Sequence, residues 1–171
     1  MAELLRQTVD AERPDAVICV GQAGGRTAIT PEMVAINLND ASIPDNAGVS
    51  HGGEAIVPDG PAAYFTTLPV KRMAAAANAA GVPAAVSYTA GTYVCNNIFY
   101  HLMRTLDGSG VPGGFVHIPF CSDQAAQRPG AKPASLPLPL MIDGLTAMLE
   151  TVADTLRTGE ADLKQGTGTT H

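Results

Sequence analysis

Apolar residues in this chain fall into short strand-length runs separated by longer amphipathic stretches. Residues 3–10 read as a helix end, with Leu4, Leu5 and Val9 on one side. Asp15-Ala-Val-Ile-Cys-Val20 is a continuous apolar run stopped by Gly21, the pattern of a buried parallel strand. Gly21 to Gly25 then form a loop in which the backbone can bend tightly or approach a ligand. Thr30-Pro31-Glu32 fits a helix start, with Thr as N-cap and Pro at N1. The alternation of Val34, Ile36 and Leu38 fits a short strand equally well. Residues 39–62, rich in Gly, Pro, Asn and Asp, predict a long loop with room for a short hairpin. An Ala-rich helix is expected from Pro69 to Ala80, closed by Gly81 and Pro83, and a strand over Ala84–Ser87. Ile98, Phe99, Leu102, Met103 and Leu106 recur at helical spacing within Cys95–Leu106. Gly114–Ile118 is the next strand, ended by Pro119, and Leu140–Leu156 the last amphipathic helix.

Alternating strands and helices predict an α/β chain, an α/β/α sandwich around a mostly parallel sheet, with its site at the strand C-termini. Residues 1–157 form the single expected domain, and the polar, Gly/Thr-rich residues 158–171 a flexible tail. Three singular positions sit at strand ends: the Gly21 loop, the turn before Cys95, and His117.

Composition narrows the function classes. With 46% hydrophobic and 15% charged residues among 171, the chain is globular and long enough for one sizeable core. A net charge of −6 argues against a nucleic-acid partner, since no basic patch is there to neutralise phosphates. The first residues are charged throughout, with no apolar core of a secretory signal, and no run approaches the length of a membrane span. Three cysteines are an odd number without metal-type spacing, so neither a disulfide framework nor a bound metal is expected. A cytoplasmic location is the default.

Cys95 falls at the predicted first turn of a helix. Free N–H groups and the helix dipole there favour thiolate over thiol, so its pKa is expected below the free value of about 8.5. The same N–H groups could receive a tetrahedral oxyanion. A lone cysteine is more often an inert core residue, the reading that suits Cys19 in its apolar run. Cys121 follows Pro119-Phe120 on a loop with no base nearby in sequence. His117, at a strand end, could take a thiol proton and return it to a leaving amine. A strand-end histidine is otherwise a hydrogen-bonded structural residue, and His51, His101 and His171 lie in a loop, a helix and the terminus. Glu32 could orient the imidazole. At a helix start it would simply complement the dipole.

Four collinear blocks then carry a resemblance. They are Val20-Gly-Gln-Ala-Gly-Gly-Arg26; Ile29-Thr-Pro-Glu-Met-Val-Ala-Ile-Asn37 running into Ile43-Pro-Asp-Asn46; Ala62-Ala-Tyr-Phe-Thr-Thr-Leu-Pro-Val70; and Ser87-Tyr-Thr-Ala-Gly-Thr-Tyr-Val-Cys-Asn96 with Gly114-Phe-Val-His-Ile-Pro119. Together, over residues 15–155, the chain resembles the type I pyrrolidone-carboxylate (pyroglutamyl) peptidases. The resemblance places the family's catalytic glutamate, cysteine and histidine on Glu32, Cys95 and His117. It implies a cysteine peptidase that hydrolyses the amide after an N-terminal 5-oxoproline of peptides, through an acyl-enzyme on Cys95. Gln22 would meet the lactam, and Tyr93 and Val94 would wall the pocket. No cofactor is implied, and a homotetramer is. Family members begin with a strand and a phenylalanine-rich loop that nothing here matches, and they carry an arginine where this chain has Ser42. The natural protein is therefore expected to extend upstream of Met1, a catalytically weak remnant being the alternative. An α/β enzyme binding phosphate at Gly21–Gly25 is a third reading; that loop lacks the Lys-Ser/Thr of a P-loop and the dinucleotide glycine spacing.

Overall fold

The computed structural model describes residues 2–168; Met1 and residues 169–171, with His171 and the end of the polar tail, lie outside the described residues. Helix α1 (Ala2–Glu12) leads into strand β1 (Val17–Gln22), followed by β2 (Thr30–Pro31) and β3 (Val34–Ile36). A hairpin of β4 (Asn39–Asp40) and β5 (Gly52–Glu54) precedes β6 (Ala63–Phe65), α2 (Val70–Ala79) and α3 (Val94–Leu106). Strand β7 (Gly113–Ile118), β8 (Phe120–Cys121), α4 (Ser122–Gln127), β9 (Ser135–Leu136) and α5 (Leu138–Thr158) complete the chain.

The central sheet has the order β1-β7-β2. β1 runs parallel to β7 in the register Val17↔Gly113 through Gln22↔Ile118, and β2 pairs antiparallel on β7's other side, Thr30↔His117 and Pro31↔Val116. Successive side chains of a strand point to opposite faces. Val116 accordingly joins Ile29, Met73, Val82, Met141 and Met148 in the core beneath α2 and α5. Phe115 joins Phe99, Tyr100 and Met103 beneath α3. The sheet is thus covered by helices on both sides, the α/β/α layering expected from the alternation of elements. His117 is two residues on from Phe115, so it shares the α3 face.

Residues 30–36 are two short strands, not a helix start. The Glu32 N–H donates to Phe115 O at 2.8 Å, so this segment's backbone is committed to β7. Glu32 is therefore at no helix N-terminus, and dipole complementarity does not explain it. The expected strand over 84–87 is reduced to two isolated parallel bridges, Ile29↔Ala84 and Glu32↔Ser87. The cause is Pro31. Ala85 N–H donates to Ile29 O and Ser87 N–H to Pro31 O, but a proline between them has no N–H to return to residue 85, and the ladder breaks there. The long 39–62 loop does hold its hairpin, β4 with β5.

Beyond α5, residues 159–168 carry no helix or strand but lie against the body. The Asp162 carboxylate accepts from the Lys71 and Arg72 N–H groups at 3.2 and 2.9 Å, filling donors that the first turn of α2 leaves open. Thr167 meets the Tyr88 hydroxyl at 2.7 Å. Among the described residues no helix is long and apolar enough to cross a membrane.

Candidate active site

Cys95 is the second residue of α3, whose N-cap Tyr93 is extended at φ −111° and ψ −156°. Neighbouring contacts fix the helix start in place. Asn96, fully buried, donates from Nδ2 to Ile36 O and Leu38 O at 2.8 and 3.1 Å, and its Oδ1 accepts from Ile36 N–H at 3.0 Å. Tyr93 donates its hydroxyl to Pro44 O at 2.8 Å, and the Asp40 N–H donates to Thr92 O at 2.9 Å. The turn before the cysteine is therefore tied to the β4–β5 hairpin on one side and to β3 on the other.

The sheet supplies the thiol's neighbours. Gly21 is the register partner of His117, at the end of β1. A Cβ at Gly21 would stand 3.2 Å from Cys95 Sγ and 2.6 Å from Phe115 Cζ. The thiol thus rests on the one residue of β1 that presents no side chain, which is why glycine is needed there. His117 is 2% exposed, and Gly21, its register partner, places the ring beside the Cys95 thiol, near enough for the sulfur to favour the charged imidazole. His117 Nδ1 meets Glu32 Oε1 at 2.7 Å, which leaves Nε2 for the sulfur. Phe115 packs on the imidazole with ring centroids 4.8 Å apart.

Burial works against charge on His117, but the neighbouring Cys95 thiol and the Glu32 carboxylate outweigh it and hold the imidazole pKa above its ordinary value. Glu32 is fully buried. Its Oε1 also accepts from Arg26 Nη2 at 2.9 Å, while its Oε2 has no partner. The Val94, Cys95 and Asn96 N–H groups, in the first turn of α3, have no intrahelical acceptor. The arrangement is a nucleophile, a base facing it, a carboxylate behind the base and a set of free donors beside the sulfur. It can perform acyl transfer.

Cys95, His117 and Glu32 are thus brought together. Of the other three residues nominated for the site, Tyr93 and Val94 directly precede Cys95 in sequence, whereas Gln22 follows Gly21 and turns its side chain to the opposite face of β1. Gln22 ends β1 and donates from Nε2 to Gln124 Oε1 at 2.7 Å. Tyr93 and Val94 line a small cavity at the start of α3 with Asp45, His51 and Asn97, a cavity Gln22 does not border. Among the described residues, the remaining cysteines and histidines have other partners or surroundings. Cys19 packs under α3, where burial pushes its thiol pKa up, and Cys121 is the N-cap of α4. His51 pairs with Glu54 at 2.5 Å, and burial pushes the pKa of His101 down. Among the described residues no group of three His, Cys, Asp or Glu could hold a metal ion.

The sequence pattern gives Arg26 no role. It closes a glycine-rich loop, where a lone cation reads as solvated. Asn96 and Gly21 were likewise invisible as supports, because what they touch is distant in sequence.

The decisive comparison is with the family model described as pyroglutamyl peptidase, which matches residues 1–155. The chain belongs to that family. The pyrrolidone-carboxylate peptidase of Bacillus subtilis is 48% identical over 171 residues, covering 99% of this chain and 76% of its own length. That of Levilactobacillus brevis is 52% identical over 153 residues, 88% of this chain and 74% of the relative. Among solved structures, pyroglutamyl peptidase I of Bacillus amyloliquefaciens superposes with a TM-score of 0.87 at 46% identity, over 95% of this chain and 76% of that one. The pyrrolidone carboxyl peptidase of Thermococcus litoralis gives 0.91 at 32% identity, over 96% and 77%. The family's α/β fold is therefore the fold of this chain. No cleft needs to be matched to an unknown chemistry, because family and side-chain constellation point to the same reaction class.

Proposed function

We propose that the chain is a cysteine peptidase that hydrolyses the amide bond after an N-terminal pyroglutamyl residue of peptides, with Cys95 as nucleophile, His117 as base and acid, and Glu32 behind it. The observation that carries this reading is the placement of the Cys95 thiol, over Gly21, beside an imidazole whose Nδ1 is held by a buried carboxylate. The thiol proton passes to His117, and the sulfur attacks the carbonyl carbon of the pyroglutamyl residue. The resulting oxyanion lies beside the free N–H groups of α3. Collapse breaks the C–N bond, His117 protonates the leaving amine, and a thioester remains on Cys95. Water, deprotonated by His117, attacks the thioester, and free pyroglutamate leaves with the thiol restored. Glu32 stabilises the imidazolium without taking its proton.

Gln22 is assigned to the lactam and Tyr93 and Val94 to the pocket wall. Tyr93 and Val94 support this by directly preceding Cys95 at the start of α3, and Gln22 by following Gly21 at the end of β1, its side chain held by Gln124. A cytoplasmic location and a homotetramer belong to the same reading, supported by three free thiols and by Leu138, Ile142 and Leu149 left exposed on α5; a sedimentation mass of one chain would remove the oligomer.

The test is turnover of a fluorogenic pyroglutamyl amide by the purified chain and by its Cys95→Ala variant. The variant is expected to lose activity at least 1,000-fold, roughly the loss on removing a nucleophile. Retained turnover would exclude Cys95 as the nucleophile.

A further inference from the structure

Glu32 poses a physical problem that the proposed catalytic arrangement does not by itself solve. Its carboxylate is wholly buried, one oxygen has no partner, and the other carries every contact the group makes. A buried carboxylate charge is costly unless it is paired and hydrogen-bonded. His117 is a cation for only part of the reaction cycle. Arg26 is a cation throughout.

The guanidinium is clamped by three residues on two segments. Nη1 donates to Thr30 Oγ1 at 2.9 Å, and Nη2 donates to Glu32 Oε1 at 2.9 Å and to Thr89 O at 3.1 Å. Thr30 belongs to β2, and Thr89 lies in the turn that leads to Cys95. The Arg26 side chain is only 24% exposed, so the pair is shielded from solvent on the arginine side as well.

We propose that Arg26 is a positioning residue of the active site, which holds the Glu32 carboxylate charged and aimed at His117 and anchors the 87–93 turn that sets Cys95. Its hydrogen bonds go to Thr30, Glu32 and Thr89 and none to Cys95, so it acts through Glu32. The inference rests on the triad reading above and deepens it. The titratable groups that face one another here are Cys95 from α3, His117 from β7, Glu32 from the segment after β2 and Arg26 from the loop after β1. Among the described residues Glu32 has no ion-pair partner besides Arg26 and His117.

Removing the arginine leaves the Glu32–His117 pair with a net buried negative charge whenever the imidazole is neutral. The pair then takes up a proton more readily, and the imidazole stays charged to higher pH. In Arg26→Met the titration midpoint of His117, followed by the NMR shift of its ring Cε1–H, is expected to rise by about one pH unit. kcat should fall at least tenfold with KM changed less than twofold, because no substrate contact is lost. Arg26→Lys keeps the charge without the planar fork, so its midpoint should stay near that of the unsubstituted chain while kcat recovers only in part. In a Glu32→Gln background, Arg26→Met should have little further effect, since the group it serves is gone.

A midpoint in Arg26→Met that is unchanged or lower overturns the proposal, as does an equal loss of kcat in the Glu32→Gln background. Should Arg26→Met fail to fold, the double variant Arg26→Met/Glu32→Gln is expected to fold, because the unpaired buried charge has been removed. A double variant that also fails to fold assigns Arg26 a role independent of Glu32 and ends the proposal. Failure of the triad reading looks different: Cys95→Ala remains active, while the NMR titration still reports whether Arg26, Glu32 and His117 are coupled.

Discussion

Substituting Gly21 by alanine adds one methyl group at the most crowded point of the site. The new Cβ would lie 2.6 Å from Phe115 Cζ, 3.1 Å from Phe115 Cε1 and 3.2 Å from Cys95 Sγ. The Phe115 ring cannot swing away cheaply. It is 2% exposed, with the Phe99 ring centroid 5.9 Å on one side and the His117 ring at 4.8 Å on another. Overpacking of this kind costs about 1–3 kcal/mol. The alanine recovers about 0.4–1 kcal/mol by restricting the unfolded chain, so the net loss is about 1–2 kcal/mol. For a domain of this size that is a fall in Tm of roughly 2–8 °C. Activity should suffer more than stability, because relief of the clash pushes either the sulfur or the ring that packs on His117. A displacement approaching 1 Å can lower the rate about 100-fold, so kcat per folded molecule should drop about 10- to 100-fold.

Gly114→Ala is the control. Its Cβ would crowd Thr66 and meet Leu68 Cδ1 at 2.7 Å, on the sheet face away from Cys95. It should destabilise comparably and leave kcat per folded molecule within about twofold. The assays are calorimetry and turnover of the pyroglutamyl amide, corrected for folded fraction. If Gly21→Ala shows an unchanged Tm, or loses stability but keeps full activity per folded molecule, then the close approach of β1 to the sulfur is not a feature of the working enzyme.

Asn96→Ala strips Ile36 N–H, Ile36 O and Leu38 O of their side-chain partner and is expected to destabilise by about 2–3 kcal/mol; a urea-unfolding loss below about 0.5 kcal/mol would show that the clamp contributes little. His117 gives a pH dependence of known sign. Its folded-state pKa lies above the ordinary 6.5, so its protonation stabilises the fold fully below that value, and this contribution is lost as pH rises through the raised folded value. The stability advantage of the unsubstituted chain over His117→Asn should therefore shrink from pH 6 upward, measured as urea midpoints, and an advantage that is constant or grows over that range contradicts the assignment.

What the sequence made legible follows the reach of its local patterns. The apolar run ending at Gly21, the helical stripe from Ile98 to Leu106 and the run ending at His117 each carry their own periodicity, and each became a strand or helix as expected, β1, α3 and β7. β1, however, lies at the sheet's edge, with no fully buried residue and Val20 exposed. Thr30-Pro31-Glu32 was ambiguous because its N-capping chemistry is real. What decides for strand is the Glu32 N–H bond to Phe115, a partner 83 residues away. The 84–87 segment falls short of a strand for the complementary reason. Its own residues suit a strand, but the chain beside it has a proline where a donor is needed. Arg26 shows the same limit at the site, since a single cation after a glycine loop has no periodic signature and gains its meaning only from the burial of Glu32.

The convergence of Cys95, His117 and Glu32 is a property of register more than of any one contact. β7 sets two of the three positions, His117 by its own side chain and Glu32 by the backbone bond from Phe115 O. β1 sets the third by placing Gly21, and no larger residue, opposite His117 and beneath the sulfur. A slip of one residue between β1 and β7 would bring Val20 or Gln22 to that level and turn the strand's side chains to the other face. It would also carry Cys19 out of the α3-side core and Ile18 out of the α2/α5 core. The apolar pattern that packs Cys19 toward α3 and Ile18 toward α2 and α5 is thus the same pattern that keeps a glycine under the thiol. Folding energy and catalytic geometry select one register.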